Sequence, residues 1–269
     1  MAPPFLMGAP FPVRAASAGC PPGPDLPGLG VTCILHLRAD LGVTTVGGEV
    51  TLWEDQSGIG DSGRNFAPPG TDKPALNACH LETAYNNKPT IGTFRKSGVA
   101  ADCALASGTW NATYTHFSIF VIGHAIYSPN RSFTYESSTD FVNISTVGGA
   151  SPYVIPNGGI VVAGASATFV TDYNFILVDS APNLLGAEFN GASSKLYVNA
   201  LDAPDDTGTL TASSLGNAPL YVGQRPGIGA LTYGVERIAE VVAFNGALSA
   251  GDLSDLSDYF NTRYGMSMP

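Results

Sequence analysis

Basic residues are scarce in this chain, which has 12 Lys and Arg against 22 Asp and Glu among 269 residues and a formal net charge of −10. The basic residues are also scattered along the sequence rather than clustered. Proteins that bind nucleic acids need clustered Lys and Arg to contact phosphates and release counterions. The composition therefore predicts no nucleic-acid partner.

Long hydrophobic runs are also missing. No window of about 18 residues is free of polar side chains, as a membrane-spanning helix would require. We therefore expect no membrane-spanning helix and no membrane partner.

Cysteine is nearly absent, since the chain has only Cys20, Cys33, Cys79 and Cys103. Their spacing matches no zinc motif, and four cysteines permit three different pairings if all are oxidised. A chain of this length does not depend on disulfides, so buried reduced thiols are the simpler interpretation. The pairing of the cysteines and the redox compartment stay open.

Glycine and proline, in contrast, are abundant, with 32 and 20 residues, and hydrophobic residues make up 44% of the chain. This composition is typical of a turn-rich β protein that can bury a full core. Eight of the prolines fall within residues 1–30, a density that excludes a helix or a central strand there. We therefore predict an extended Pro-rich N-terminal arm over residues 1–30 and one domain over residues 31–269.

The arm carries apolar residues with few charged neighbours, namely Phe5, Leu6, Met7, Phe11 and Val13. Without a strand or helix of their own, these side chains need another surface to cover them. Each proline fixes φ before binding, which lowers the entropy lost when the arm is ordered. We predict that the arm binds a partner, either a second copy of the chain or another subunit of an assembly.

The C-terminal stretch carries the clearest local signals. Residues 238–244 form a β-branched and aromatic run, and the Asn-Gly pair at 245–246 then favours a turn. Ser249 followed by Asp252 resembles a capping box, and Gly265 suits a left-handed residue at the end of a helix. A helix with one apolar face is predicted between them. Its apolar positions are Leu253, Leu256, Tyr259, Phe260 and Tyr264.

Further strands are predicted upstream. They lie near residues 31–38, 49–54, 88–94, 114–124, 131–136, 139–146, 152–155, 159–163, 167–178, 184–189, 194–199, 208–213 and 219–223. Residues 117–122 are apolar on both faces, as a central strand would be. Asn190-Gly191 predicts a hairpin with a type I′ turn, and residues 55–87 predict a long polar loop.

The strand IAEVVAFN, an Ala-Leu-Ser linker and a helix ending in Tyr-Gly resemble the end of laminin G-like, concanavalin A-like jelly-roll domains of phage and bacterial surface proteins. Three upstream pieces fit the same pattern in the same order. They are LHLRADLGV leading to VTLWEDQSG, NNKPTIGTF, and KLYVNA leading to LYVGQR. The resemblance spans roughly residues 31–265. It implies an all-β fold, a concanavalin A-like antiparallel β-sandwich (jelly roll) closed by one short C-terminal helix.

Such domains include lectins, glucanases and structural modules, so the resemblance leaves the function open. It places Trp53 on an early strand, where we expect a buried indole whose N–H is hydrogen-bonded. A solvent-facing platform for sugar rings is the alternative.

Catalytic motifs are weak. Gly60-Asp61-Ser62-Gly63 matches four letters around a serine-protease nucleophile, but the Ala-His-Cys string that should precede it is absent. The Glu-x-Asp-x-x-Glu string of concanavalin A-like glucanases is also absent, and the adjacent Glu54 and Asp55 would point to opposite faces of a strand. The sequence therefore predicts a protein that is not an enzyme.

One glycine-containing loop gathers oxygen-bearing side chains, Asp55, Ser57 and Asp61. Ca²⁺ takes six to eight oxygen ligands, and many laminin G-like domains hold Ca²⁺ at a loop rim. Asp and Ser beside Gly are equally typical of Asx turns. Calcium is thus the one candidate cofactor, with an Asx turn as the alternative.

Taken with the resemblance, these observations predict a non-enzymatic structural protein of a phage virion, such as a capsid decoration, head-fibre or tail component that uses its arm for assembly. Its partners would be further copies of the chain or capsid and tail proteins. The alternative is a carbohydrate-binding lectin-like module, with or without calcium, in a secreted or cell-surface protein that binds glycans.

Overall fold

A computed structural model describes most of the domain and the last residues of the arm. The described residues are 25–69, 75–77, 85–92, 105–124, 131–136, 143–147, 159–163, 168–170, 181–210, 215–216, 218–223 and 237–269. Residues 1–24 lie outside them, so the arm and its boundary with the domain stay predictions.

The described part of the chain is built almost entirely from strands, with a single α-helix at its C-terminal end. The strands are β1 (Thr32–Arg38), β2 (Val43–Val46), β3 (Glu49–Trp53), β4 (Phe66–Ala67), β5 (Ala75–Asn77), β6 (Thr90–Gly92), β7 (Leu105–Ser107), β8 (Phe117–His124), β9 (Arg131–Glu136), β10 (Asn143–Val147), β11 (Gly159–Ala163), β12 (Thr168–Val170), β13 (Asn183–Phe189), β14 (Gly191–Val198), β15 (Asp206–Leu210), β16 (Leu220–Gly223) and β17 (Arg237–Asn245). The helix is α1 (Ala250–Tyr264), and Ser62–Arg64 form one 3-10 turn. Within these residues no helix has the length and apolarity needed to cross a bilayer.

The strands pair antiparallel throughout and form two sheets. One sheet has the order β1-β17-β8-β13-β14-β15. The other has the order β2-β3-β4-β7-β16-β9-β10-β11-β12. The short strands β5 and β6 continue the hydrogen bonding from β3 to β17, so the two sheets are joined at one side. The predicted all-β antiparallel sandwich with a C-terminal helix is confirmed.

The central strands β17, β8 and β13 of the first sheet are buried on both faces, which explains the continuous apolar run in β8. Phe117, Ile119 and Val121 point into the core between the two sheets. Phe120 and Ile122 point to the opposite face, into a second core that α1 covers. Since side chains alternate along a strand, a strand covered on both faces must be apolar at nearly every position.

Helix α1 has the cap and the buried face that the sequence predicts. The side chain of Ser249 accepts a hydrogen bond from the amide of Asp252 at 3.2 Å, and the Asp252 carboxylate accepts from the Ser249 amide at 3.0 Å. Gly265 ends the helix with a φ of 66°, in the left-handed region that favours glycine. All five predicted apolar positions are buried against the first sheet.

The predicted hairpin at Asn190-Gly191 joins β13 to β14, but its turn differs from the prediction. The amide of Ser193 donates to the carbonyl of Asn190 at 3.1 Å, so Gly191 and Ala192 are the two central residues. Only Gly191 of the two has a positive φ, 57°, as in a type II′ turn rather than a type I′ turn. The turn therefore begins one residue later than the Asn-Gly pair suggests.

Several short strands of the structure were not predicted from the sequence. The prediction of a single long loop over residues 55–87 is wrong. This segment contains β4, whose Phe66 pairs with Trp53 of β3, and β5, whose Ala75 pairs with Glu49. Strands of two or three residues are too short to show an alternating pattern, so their existence depends on the neighbours with which they pair. The predicted strand near 152–155 lies outside the described residues.

We predict that Leu256→Ala lowers the free energy of unfolding by about 2–5 kcal/mol, because Leu256 is fully buried in the core beneath α1. Asp255→Ala is the matched control, since Asp255 is exposed on the same helix and should change stability by less than about 0.5 kcal/mol. Urea unfolding of both variants measures the difference. Equal stabilities would show that the helix is not part of the cooperative fold.

Candidate functional site

A pocket of about 280 Å³ opens beside β1, between the end of the arm and the loop that follows β3. It is lined by Asp25, Leu26, Cys33, His36, Arg38, Leu41, Gln56 and Ser57. Most of these side chains carry hydrogen-bonding groups, whereas ligand pockets are more often predominantly apolar. The lining therefore suits a polar ligand.

Strand β1 places His36 and Arg38 on the pocket side, because residues two apart share one face of a strand. Leu35 and Leu37 point the other way, into the core between the sheets. The pairing register with β17 shifts between Cys33 and Leu35. A bulge of this kind re-aims side chains, and here it brings Cys33 to the same pocket as His36 in spite of their odd spacing.

The loop after β3 is held by the carboxylate of Asp55. Its Oδ1 accepts hydrogen bonds from the amides of His36 at 2.8 Å and Ser57 at 2.9 Å. Its Oδ2 accepts from the Ser57 hydroxyl at 2.6 Å. These contacts form the Asx turn that was the alternative to a calcium site, and they fix Gln56 and Ser57 at the pocket wall.

Asp61, the third predicted calcium ligand, has its own set of protein donors. Its carboxylate accepts from the amide of Asn111 at 2.8 Å, the side-chain amide of Asn111 at 3.0 Å and the amide of Gly63 at 3.0 Å. The Asn111 amide hydrogen bond is the largest cause that holds the pKa of Asp61 below its ordinary value. The Nε of Arg64 lies 3.4 Å away.

Among the described residues, no three His, Cys, Asp or Glu side chains form a group that could hold a metal ion. The calcium site at Asp55, Ser57 and Asp61 stays a prediction. The five arm residues predicted to bind a partner, Phe5, Leu6, Met7, Phe11 and Val13, lie outside the described residues, and their role also stays a prediction.

Beneath the pocket lies a buried carboxylate, Glu240 of β17, which is 0% exposed. Nε2 of His36 lies 2.7 Å from its Oε1. The Tyr259 hydroxyl donates to Oε1 at 2.9 Å, and the Tyr264 hydroxyl donates to Oε2 at 2.5 Å. The Nε of Arg263 lies 3.2 Å from its Oε2. We call these five residues the Glu240 network.

Burial by itself would raise the pKa of Glu240, because it disfavours the charged form. The hydrogen bond and charge of His36, the charge of Arg263 and the Tyr264 hydrogen bond outweigh that effect and hold the pKa below its ordinary value. Burial and the nearby Glu240 charge raise the pKa of Tyr259 and of Tyr264, so both hydroxyls keep their protons and act as donors.

A second carboxylate, Asp40, connects the Glu240 network to the pocket wall. Its Oδ2 lies 2.7 Å from Nη2 of Arg263. Arg38 donates to the same carboxylate from Nε to Oδ1 and from Nη2 to Oδ2, both at 3.1 Å. Burial opposes ionisation of Asp40, but the Arg38 hydrogen bonds and the Arg263 charge hold its pKa below the ordinary value. The guanidinium of Arg38 is thereby held in one orientation.

Two nitrogens remain for a ligand in this pocket. Nη1 of Arg38 makes no hydrogen bond within the described part of the chain, and neither does Nδ1 of His36. Because the ionised Glu240 can only accept, Nε2 of His36 carries the proton between them. The pocket therefore offers two oriented nitrogens, the Arg38 donor and Nδ1 of His36, which accepts in a neutral ring and donates in a protonated one.

Cys33 is a free thiol in this pocket and donates to the carbonyl of Leu35 at 3.4 Å. Burial, together with the charge of Asp55, raises its pKa to about 12. The thiol therefore stays protonated near neutral pH and is a poor nucleophile and metal ligand. Cys20, Cys79 and Cys103 lie outside the described residues.

The expected burial of Trp53 is confirmed. Its side chain is 0% exposed, and the indole N–H donates to the carbonyl of Arg38 at 2.8 Å. Trp110 is also buried, beneath the guanidinium of Arg64 at 4.4 Å. Neither tryptophan is available to stack on a sugar ring.

Glu240, Arg263 and Asp40 were not among the predicted site residues. Glu240 had a visible signal, because it is the one charged residue inside the apolar run IAEVVAF, and a charge in a buried strand needs partners. Nothing in the sequence indicates that those partners lie on β1 and at the end of α1. His36 lies within the strand predicted near residues 31–38, and no motif around it distinguishes it from an ordinary strand residue.

No protein-family profile and no curated protein sequence matches this chain. Solved structures do match. A GH54 α-L-arabinofuranosidase soaked with 4-nitrophenyl α-L-arabinofuranoside is 11% identical with a TM-score of 0.56, over 87% of this chain and 60% of that chain. An arabinofuranosidase complexed with arabinofuranosyl-α-1,2-xylobiose is 12% identical with a TM-score of 0.53, over 89% of this chain and 60% of that chain. A Trypanosoma rangeli sialidase in complex with sialic acid is 12% identical with a TM-score of 0.50, over 91% of this chain and 36% of that chain.

At these identities the comparisons show the fold, a β-sandwich, and this chain spans about 60% of the length of the arabinofuranosidases it matches. Two predictions need correction. The structural role in a virion is contradicted, because the matching chains are carbohydrate-active proteins. The prediction that the chain is not an enzyme is contradicted by the same finding, since those chains are glycoside hydrolases and a sialidase.

We predict that Glu240→Gln lowers the free energy of unfolding near pH 7 by about 1.5–3 kcal/mol, because the Tyr259 and Tyr264 hydroxyls lose a charged acceptor, while Arg263 keeps its ion pair with Asp40. Glu49→Gln, an exposed position in β3, is the control and should have almost no effect. The comparison is made by urea unfolding.

The ionisation of Glu240 also predicts that the free energy of unfolding depends on pH. The pKa of Glu240 in the folded chain lies below the ordinary value of 4.5, so its ionised form stabilises the fold above that pH and the contribution is lost as pH falls through the folded pKa. The wild type should therefore lose stability progressively below about pH 4.5, and Glu240→Gln should lose less over the same window. Parallel curves for the two proteins would contradict an ionised Glu240.

Proposed function

We propose that this chain is a carbohydrate-binding, lectin-like β-sandwich domain of the laminin G-like kind, and that the sugar binds in the pocket beside β1. The observation that carries the proposal is the pair of fixed groups at the pocket, Nη1 of Arg38 and Nδ1 of His36. A sugar hydroxyl both donates and accepts, so one hydroxyl, or two neighbouring ones, can satisfy both groups.

The pocket is arranged before a ligand arrives. Asp40 orients Arg38, Glu240 orients His36, and Asp55 holds the loop that carries Gln56. Side chains that are already ordered lose little further entropy on binding, which favours affinity. The similarity to arabinofuranosidases and a sialidase supports carbohydrate as the ligand class.

The expected affinity is modest. A net contribution of about 0.5–1.5 kcal/mol for each of a few hydrogen bonds, without an aromatic platform, corresponds to a Kd on the order of 1 mM. The test is an NMR titration of the whole chain with arabinan, arabinoxylan, neutral galactan and sialylated oligosaccharides, which detects binding in this range.

We predict that Gln56→Ala weakens binding about 2–10-fold, because Gln56 lines the pocket and its loss removes one hydrogen-bonding group. Thr45→Ala is the control, since Thr45 is exposed and does not line the pocket. The proposal fails if no glycan shows saturable binding, or if both variants bind like the wild type.

Two additions to the titration test related points. Assaying the same samples for released sugar tests whether the domain also processes what it binds, as the arabinofuranosidases in the comparison do. Repeating the titration with Ca²⁺ and with a chelator tests the calcium assistance predicted at Asp55, Ser57 and Asp61. A chelator effect that Asp61→Asn abolishes would support the calcium site.

A further inference from the structure

The pocket already has an acidic side chain of this chain at its mouth. Asp25 is one of the lining residues, and its side chain is 99% exposed. Its Oδ1 lies 3.6 Å from Nη1 of Arg38, the nitrogen that Asp40 leaves without a hydrogen bond. This distance is too long for a hydrogen bond, so the contact is an ion pair between an exposed carboxylate and a largely buried guanidinium.

The segment that carries Asp25 is attached to the domain. Leu26 and Leu29 are partly buried against the core beneath α1. The amide of Gly30 donates to Asp252 Oδ1 at 2.7 Å, next to the cap of the helix. Asp25 is therefore presented to Arg38 by an anchored segment, although its own side chain is free to leave.

Arg38 is prepared for a closer carboxylate. Its Nε and Nη2 are engaged by Asp40, and its Nη1 faces the pocket in a fixed direction. A ligand carboxylate in the pocket could approach Nη1 to about 2.7–2.9 Å, the length of a charge-assisted hydrogen bond, and displace the exposed Asp25.

Resting on the proposed function, we propose that the pocket selects glycans that carry a carboxylate, and that Asp25 is an internal competitor for the ligand position at Arg38. Uronic acids and sialic acids share this chemistry. The formal charge of −10 acts weakly on such a ligand, because charges farther away than about 8 Å are largely screened at physiological ionic strength. The nearer carboxylates of Asp40 and Glu240 are already paired with Arg38, Arg263 and His36.

The experiment compares ligands that differ only in the carboxylate. Trigalacturonic acid is titrated beside its neutral methyl ester, and sialyllactose beside the methyl ester of its sialic acid carboxylate, which separates the uronic-acid and sialic-acid sources. We expect each acidic member of a pair to bind about ten-fold more tightly, since hydrogen bonds to charged groups contribute more than neutral ones.

Asp25→Asn tests the internal competitor. It should tighten binding of the acidic glycan about 2–5-fold, the range expected for removing a weak ion pair, and tighten binding of the neutral glycan less, because the Asp25 charge does not repel a neutral hydroxyl. Asp255→Asn is the matched control, because it removes the same charge from an exposed position that does not line the pocket. Arg38→Lys should reduce the preference for the acidic glycan, since lysine cannot reproduce the fork held by Asp40.

The outcomes are distinguishable. Equal binding of acidic and neutral glycans would overturn the inference and leave the proposed function standing, whereas no binding of any glycan would overturn both. Equal effects of Asp25→Asn and Asp255→Asn would exclude Asp25 as a competitor. Because Asp25 is fully exposed, its substitution does not endanger folding.

Discussion

The ionised carboxylate of Glu240 is the constraint on which the rest of the structure depends. It lies in β17, covered on one side by α1 and fully removed from water. A buried charge of this kind is tolerated only when several donors surround it. The donors come from two other elements, His36 from β1 and Tyr259, Arg263 and Tyr264 from α1. The carboxylate therefore specifies how the helix lies on the sheet.

The same constraint produces the proposed binding site. Nε2 of His36 contacts Glu240, so Nδ1 of the same ring faces the pocket. Asp40 contacts both Arg263 and Arg38, and this contact fixes the Arg38 guanidinium at the pocket wall. Polar groups that stabilise the helix on one side thus orient ligand-binding groups on the other. Substitutions in the Glu240 network should therefore affect both stability and binding, whereas substitution of the exposed Asp25 should affect binding alone.

The errors in the functional prediction have a common physical cause. Jelly-roll sandwiches support lectins, hydrolases and structural proteins, because function depends on a few side chains placed on a shared scaffold. The missing Glu-x-Asp-x-x-Glu string describes one arrangement of catalytic carboxylates on one strand, so its absence does not exclude others. The residues of the pocket come from the arm, β1, the turn after β1 and the loop after β3, and no short motif spans these segments.

Local sequence by itself determined the features that depend on neighbours along the chain. The run of β8 that is apolar on both faces, the Ser249 and Asp252 cap and the left-handed Gly265 were all predictable, because propensity, strand geometry and capping act over a few residues. Only the tertiary structure decided the two-residue strand β4, the type II′ turn at Gly191 and the partners of Glu240. Glu240 and His36 are 204 residues apart in sequence, and their contact exists because antiparallel pairing places β1 beside β17.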